Sequence, residues 1–142
     1  MSACVSDRIN VVLQQHDNGC AVACVAMVTG VSYADAFKAA FGPRSRRSVR
    51  LELTLSQVAG AIRSLGFRCR HGSDWLSGAF PAVLMFEWDH DIMPPGTFHC
   101  VAYDPFRRRV VDPGGTDFSQ ARYRRMWNES GRMSLVVTGR RS

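Results

Sequence analysis

The stretch Cys20-Ala-Val-Ala-Cys-Val-Ala-Met-Val-Thr29 constrains this chain more than any other part of it. Its residues are small and apolar on every side, which is the pattern of a helix buried all round rather than one with a wet face. Gly30 follows as a C′ stop. The uninterrupted apolar part, Ala21 to Val28, is about half of the ~18 residues a membrane span requires, so it reads as a core helix. With 142 residues the chain has about one domain's worth of length, enough to enclose such a helix without disulfide or metal staples.

The rest of the chain supplies the elements to do so. Ser32 can cap a second helix, Tyr33 to Phe41, which ends at Gly42-Pro43. Thr54 or Ser56 opens a third, through Leu65, closed by Gly66. Ile9 to Leu13 reads as extended. After Gly66 the period changes, and Phe67–Arg70, Pro81–Trp88, Phe98–Tyr103, Arg109–Asp112 and Ser134–Thr138 read as strands. Helices first and an antiparallel sheet afterwards predict a single α+β domain spanning residues 1–142, with no internal repeat and no linker.

Charge and composition narrow the function classes. A hydrophobic share of 46% and a charged share of 21% are those of a globular domain, not of a disordered or fibrous chain. The net charge of +6 comes from seventeen arginines against one lysine, Lys38. Arginines cluster at 44–50, 107–109, 122–125 and 140–141, a surface that attracts acidic partners at low salt. No recognition-helix, RNP-like or zinc-finger pattern accompanies them, so they read as a solvated face and nucleic acid is not the expected partner. The first fifteen residues hold no basic segment followed by an apolar core, which predicts a cytoplasmic protein without membrane contact. The five cysteines, at 4, 20, 24, 69 and 100, are odd in number and irregular in spacing, so free thiols are expected rather than a disulfide framework.

One of those thiols stands apart. Cys20 falls at the first turn of its helix, where unpaired N–H groups and the helix dipole favour thiolate over thiol. Cys24, a turn further on, lies in the apolar run and reads as core. A thiolate nucleophile needs a base and an orienter. Of the four histidines, His99 opens an apolar strand, whereas His16 lacks one to hold it, and His71 and His90 read as surface loop residues. Folding Phe98–Tyr103 and Arg109–Asp112 into a hairpin about Pro105-Phe106 sets Asp112 directly opposite His99 and on the same face. Asp104, an odd number of residues from His99, projects to the other face. Asp112 also reads as a turn former, through Asp112-Pro-Gly-Gly. Gln14 and Gln15 are both candidate oxyanion donors.

The segment Gln14-Gln-His-Asp-Asn-Gly-Cys20, continuing through Ala26-Met27 and Gly30, resembles the start of the bacteriocin-processing, double-glycine-cleaving peptidases, which belong to the papain-like cysteine peptidases. His99 opening a strand and Asp112-Pro113 continue the resemblance in the same order. It implies a papain-like α+β fold with the nucleophile at a helix N-terminus, and a glutamine six residues before the cysteine as oxyanion donor, which selects Gln14 over Gln15. It also implies a Cys20–His99–Asp112 triad acting through an acyl thioester without metal or organic cofactor, on a protein or peptide substrate that is glycine-rich at the cleavage site. Ala21 departs from the glycine usual in the family after the cysteine. No transporter span follows in the sequence given, so the resemblance is to stand-alone members, whose substrates are diverse.

Three other readings remain open. The same triad would serve an amidase, a deamidase or a transglutaminase-like enzyme. The fold could instead capture a peptide without cleaving it. A zinc site on Cys20, Cys24, His16 and His99 has the ligand types but lacks the short cysteine knuckles. Trp75, Trp88 and Trp127 read as core, and the oligomeric state is not legible.

Overall fold

The computed structural model describes residues 9–13, 15, 19–43, 53–72, 80–87, 98–115, 117–119 and 133–140. Gln14, His16, His90, Cys4, the three tryptophans and most of the arginine clusters lie outside the described residues.

Three helices come first. In α1 (Cys20–Thr29) every residue from Ala21 to Met27 and Val28 is buried, and the helix packs against α2 (Tyr33–Phe41), α3 (Leu55–Ser64) and two strands of the sheet. Neighbours on so many sides are why its sequence has no polar face. Gly30 closes it in the left-handed conformation at φ 78°, a geometry that suits glycine, and donates its N–H to the Ala26 carbonyl. Ser32 caps α2 by accepting from the Asp35 N–H. Of the two candidate caps for α3, the structure uses Thr54, in a reciprocal capping box with Gln57.

The sheet follows. Strands β1 (Phe67–Gly72), β2 (Ala82–Glu87), β3 (Phe98–Asp104), β4 (Arg109–Val111), β5 (Asp117–Ser119) and β6 (Met133–Arg140) form one sheet in the order β1-β6-β2-β3-β4-β5. Every pairing is antiparallel. The C-terminal strand β6 thus inserts between β1 and β2. Alternation along the strands separates two sets of buried side chains. Val83, Met85, Cys100, Ala102, Val111, Leu135 and Val137 join the helices in the main core. Ala82, Leu84, Val101, Tyr103, Val110 and Val136 form a smaller cluster. Burial on both faces is why the start of β2 reads as an apolar run without alternation.

Four details differ from the sequence reading. Ile9–Leu13 forms no regular strand, and β5 is an extra strand, three residues long, paired with β4. His71 belongs to β1, opposite Leu135, rather than to a loop. The β3–β4 hairpin pairs Ala102 with Val111 and Asp104 with Arg109, so its turn is Pro105 to Arg108, with Arg108 in the left-handed region at φ 52°. This register is two residues away from the one that sets His99 directly opposite Asp112. A shift of two preserves the face, and Asp112 becomes a diagonal neighbour of His99.

Candidate functional site

The first turn of α1 meets the first half of β3, the part that β4 does not flank, since β4 pairs only with Ala102 to Asp104. Gly19 occupies the N-cap and makes no side-chain cap, so the first N–H groups of α1 have no such partner. Cys20 is the first residue of the helix and is partly exposed.

His99 and Asp112 are joined at 2.7 Å, Nε2 to Oδ2, with the side chains 14% and 25% exposed. With Nε2 held by the carboxylate, Nδ1 is the ring nitrogen available to Cys20, and His99 hydrogen-bonds the Cys20 side chain. Asp112 divides its oxygens. While Oδ2 takes the imidazole, Oδ1 accepts the Gly114 N–H at 2.7 Å, and the Asp112 carbonyl accepts the Gly115 N–H at 2.9 Å. The turn former and the imidazole partner are the same residue, and the turn fixes where the carboxylate stands.

The charges follow from these contacts. A hydrogen bond from the Cys100 thiol is the largest influence on Cys20; with His99, it outweighs burial and lowers the thiol from 9.0 to about 5. Burial works against the His99 cation, but the hydrogen bonds and charges of Asp112 and Cys20 overcome it and raise the imidazole from 6.5 to about 9. Burial raises Asp112, and the His99 and Gly114 hydrogen bonds bring it below its ordinary value. Between about pH 5 and about pH 9, sulfur and imidazole therefore stand as a thiolate–imidazolium pair. Cys24 contrasts with this: burial, and then the nearby negative charges, push its thiol well above 9.0. It is a core side chain.

Two contributors escape sequence reading. Cys100 follows His99 on β3 and hydrogen-bonds Cys20; a strand of unknown register offers no sign of it. Asp104 is wholly buried, accepts the Ile9 N–H at 3.2 Å and pairs with Arg107 at 2.8 Å. Arg107 also donates to the Ile9 carbonyl at 2.8 Å. Together they clamp the segment leading to Gln14 onto the β3–β4 turn. At the other end of that segment Leu13 lies close against Gly115, in the turn that follows Asp112. Gln15 is exposed. Among the described residues no group of three or more histidine, cysteine or acidic side chains has a metal-holding arrangement.

No protein-family profile matches this sequence, and neither does any curated protein. Solved structures do match. One is a double-glycine-motif protease from an AMS/PCAT transporter, in complex with the leader peptide: TM-score 0.60, 18% identity, 95% of this chain and 98% of that one. Another is the peptidase domain of Streptococcus ComA, a bifunctional ABC transporter involved in a quorum-sensing pathway: TM-score 0.61, 17% identity, 91% of this chain and 98% of that one. The chain has the double-glycine peptidase fold. This papain-like α+β fold spans almost the whole chain, with Cys20 at the N-terminus of the buried helix and His99 on the sheet beside it. Among the described residues no single helix is long and apolar enough to cross a membrane.

Proposed function

We propose that the protein is a cysteine peptidase that cleaves a peptide or isopeptide bond through an acyl thioester. The observation that carries this reading is the 2.7 Å contact between His99 and Asp112, with the imidazole in turn hydrogen-bonded to a cysteine on the first turn of a helix. Nucleophile, base and orienter are then in contact in the order that acyl transfer needs.

In this mechanism the Cys20 thiolate attacks the carbonyl carbon. The Cys20 N–H at the helix terminus and the Gln14 side-chain amide, six residues earlier, hold the oxyanion. His99, already protonated, gives its proton to the leaving amine. The neutral imidazole then takes a proton from water as that water opens the thioester. Asp112 keeps the ring turned with Nδ1 toward sulfur and stabilises its charged form. None of these steps calls on a metal or an organic cofactor. The substrate class is a peptide, by likeness to a protease bound to its leader peptide, and the resemblance in sequence favours glycine at the cleavage site.

Brief iodoacetamide treatment followed by intact mass measurement, from about pH 4 to about pH 9, tests the pair without a substrate. The sign follows from the directions of the two shifts. The thiol takes up its proton only as pH falls through about 5, so fast labelling of Cys20 should persist well below neutrality and fail there. His99→Ala removes one cause of the shift and should slow labelling in that range. An ordinary thiol, labelled only as pH approaches about 8.5 and indifferent to His99→Ala, would sink the reading.

A further inference from the structure

Hydrolysis uses one sulfur, yet the site holds three. Cys20 and Cys24 lie one turn apart on α1, and Cys100 on β3 packs against the same helix. Cys24 and Cys100 are buried in the main core, while Cys20 stands at its margin, partly open to solvent. The Cys100 side chain is hydrogen-bonded to that of Cys20, so the two sulfurs are in contact; Cys24 feels Cys20 only through its charge. All of these thiols are free. Two sulfurs that touch are a small displacement from the roughly 2 Å of a disulfide.

We propose that Cys20 and Cys100 form a modification site, a disulfide closed when the protein meets hydrogen peroxide, with Cys20 as the attacking sulfur and Cys100 as the resolving one. The inference rests on the reading of Cys20 as a thiolate and adds a second chemistry at the same atom. Peroxide reaches the exposed side of Cys20. The thiolate attacks one peroxide oxygen, the O–O bond breaks, and the departing hydroxide takes a proton to become water, leaving a sulfenic acid on Cys20. The Cys100 sulfur then attacks the Cys20 sulfur. Its thiol proton leaves, the S–O bond breaks, and the hydroxide departs as a second water. One peroxide is reduced by two electrons, and each sulfur is oxidised by one.

The second step has a built-in release. The first cause holding the Cys100 thiol protonated is its hydrogen bond to the Cys20 sulfur, with burial next. Oxidation of Cys20 removes the negative charge that this hydrogen bond serves. The resolving thiol is thus held in reserve while Cys20 is a thiolate and freed once Cys20 carries oxygen. A closed disulfide blocks the nucleophile but keeps it from sulfinic acid, from which ordinary thiols do not rescue it.

The full-length chain is treated with hydrogen peroxide, alkylated with iodoacetamide, digested and mapped by tandem mass spectrometry, with untreated protein alongside. The expected result is a loss of two hydrogens, a peptide pair linked through Cys20 and Cys100, loss of Cys20 alkylation, and its recovery after dithiothreitol. Cys100→Ala should form no such link and carry two added oxygens on Cys20 that dithiothreitol does not remove. A link from Cys20 to Cys24, or sulfinic acid at Cys20 of the unsubstituted protein with Cys100 still alkylatable, overturns the inference even if that variant folds poorly. Fast labelling of Cys20 before peroxide and no link after it defeats this inference alone. Slow labelling before peroxide defeats the peptidase reading, and this inference with it.

Discussion

Asp112 shows how a single side chain carries both structure and charge. One oxygen is tied to the Gly114 N–H, so the carboxylate cannot swing away from the imidazole without giving up its turn. The other oxygen helps hold His99 at about 9. Asp112→Asn keeps the shape and removes the charge, so the imidazole should titrate well below about 9, and turnover on any cleaved peptide should fall by roughly a hundredfold or more. The imidazole signals in an NMR pH titration report the first effect directly; an unchanged midpoint would mean that Asp112 does not act on the ring. Much at this scale was legible in the sequence. Strand parity alone joined residue 99 to residue 112, and it survived a register that differs by two. What parity could not supply is the neighbour on the next strand position, Cys100, because adjacent residues of a strand face opposite ways and only the approach of α1 brings the Cys20 sulfur within reach of both His99 and Cys100.

At the scale of elements, local chemistry governs where helices begin and end. Ser32, Thr54 and Gly30 act on backbone groups within four residues of themselves, so the spans of α1 and α2 follow from the chain alone. Strands obey partners. β5 has only three residues, and pairing with β4, not its own alternation, makes it a strand. Ile9–Leu13, which does read as extended, is held instead by side chains at the β3–β4 turn. Asp104→Ala tests that clamp. It strands the N–H groups of Ile9 and Phe106, for which the buried carboxylate is acceptor, and should lower the unfolding free energy by about 2–3 kcal/mol in a urea titration. A loss under about half a kcal/mol would mean that water replaces the carboxylate there. Because this segment runs directly into Gln14, the variant should also slow turnover on any cleaved peptide.

At the scale of the molecule, α1 runs through the main core. It touches α2, α3, β2 and β3, and Cys24 near its middle has no exposed surface. Cys24→Ser places a hydroxyl among apolar neighbours and should cost about 1–3 kcal/mol in stability while leaving the rate of Cys20 alkylation nearly unchanged in the folded protein. Chemical unfolding together with labelling separates the two; a well-folded variant with a dead Cys20 would reverse the roles of the pair. The sequence by itself determined that this helix is buried, that three helices precede an antiparallel sheet, and that a cysteine heads the first of them, because periodicity and caps are written within one or two turns of chain. Only the tertiary structure decided that β6 returns between β1 and β2, that the hairpin turns over four residues, that Asp104 ties down the opening segment, and that a second thiol rests against the first. Those outcomes depend on residues far apart in the chain competing for the same space, and the energy of such contacts is not encoded at either position alone.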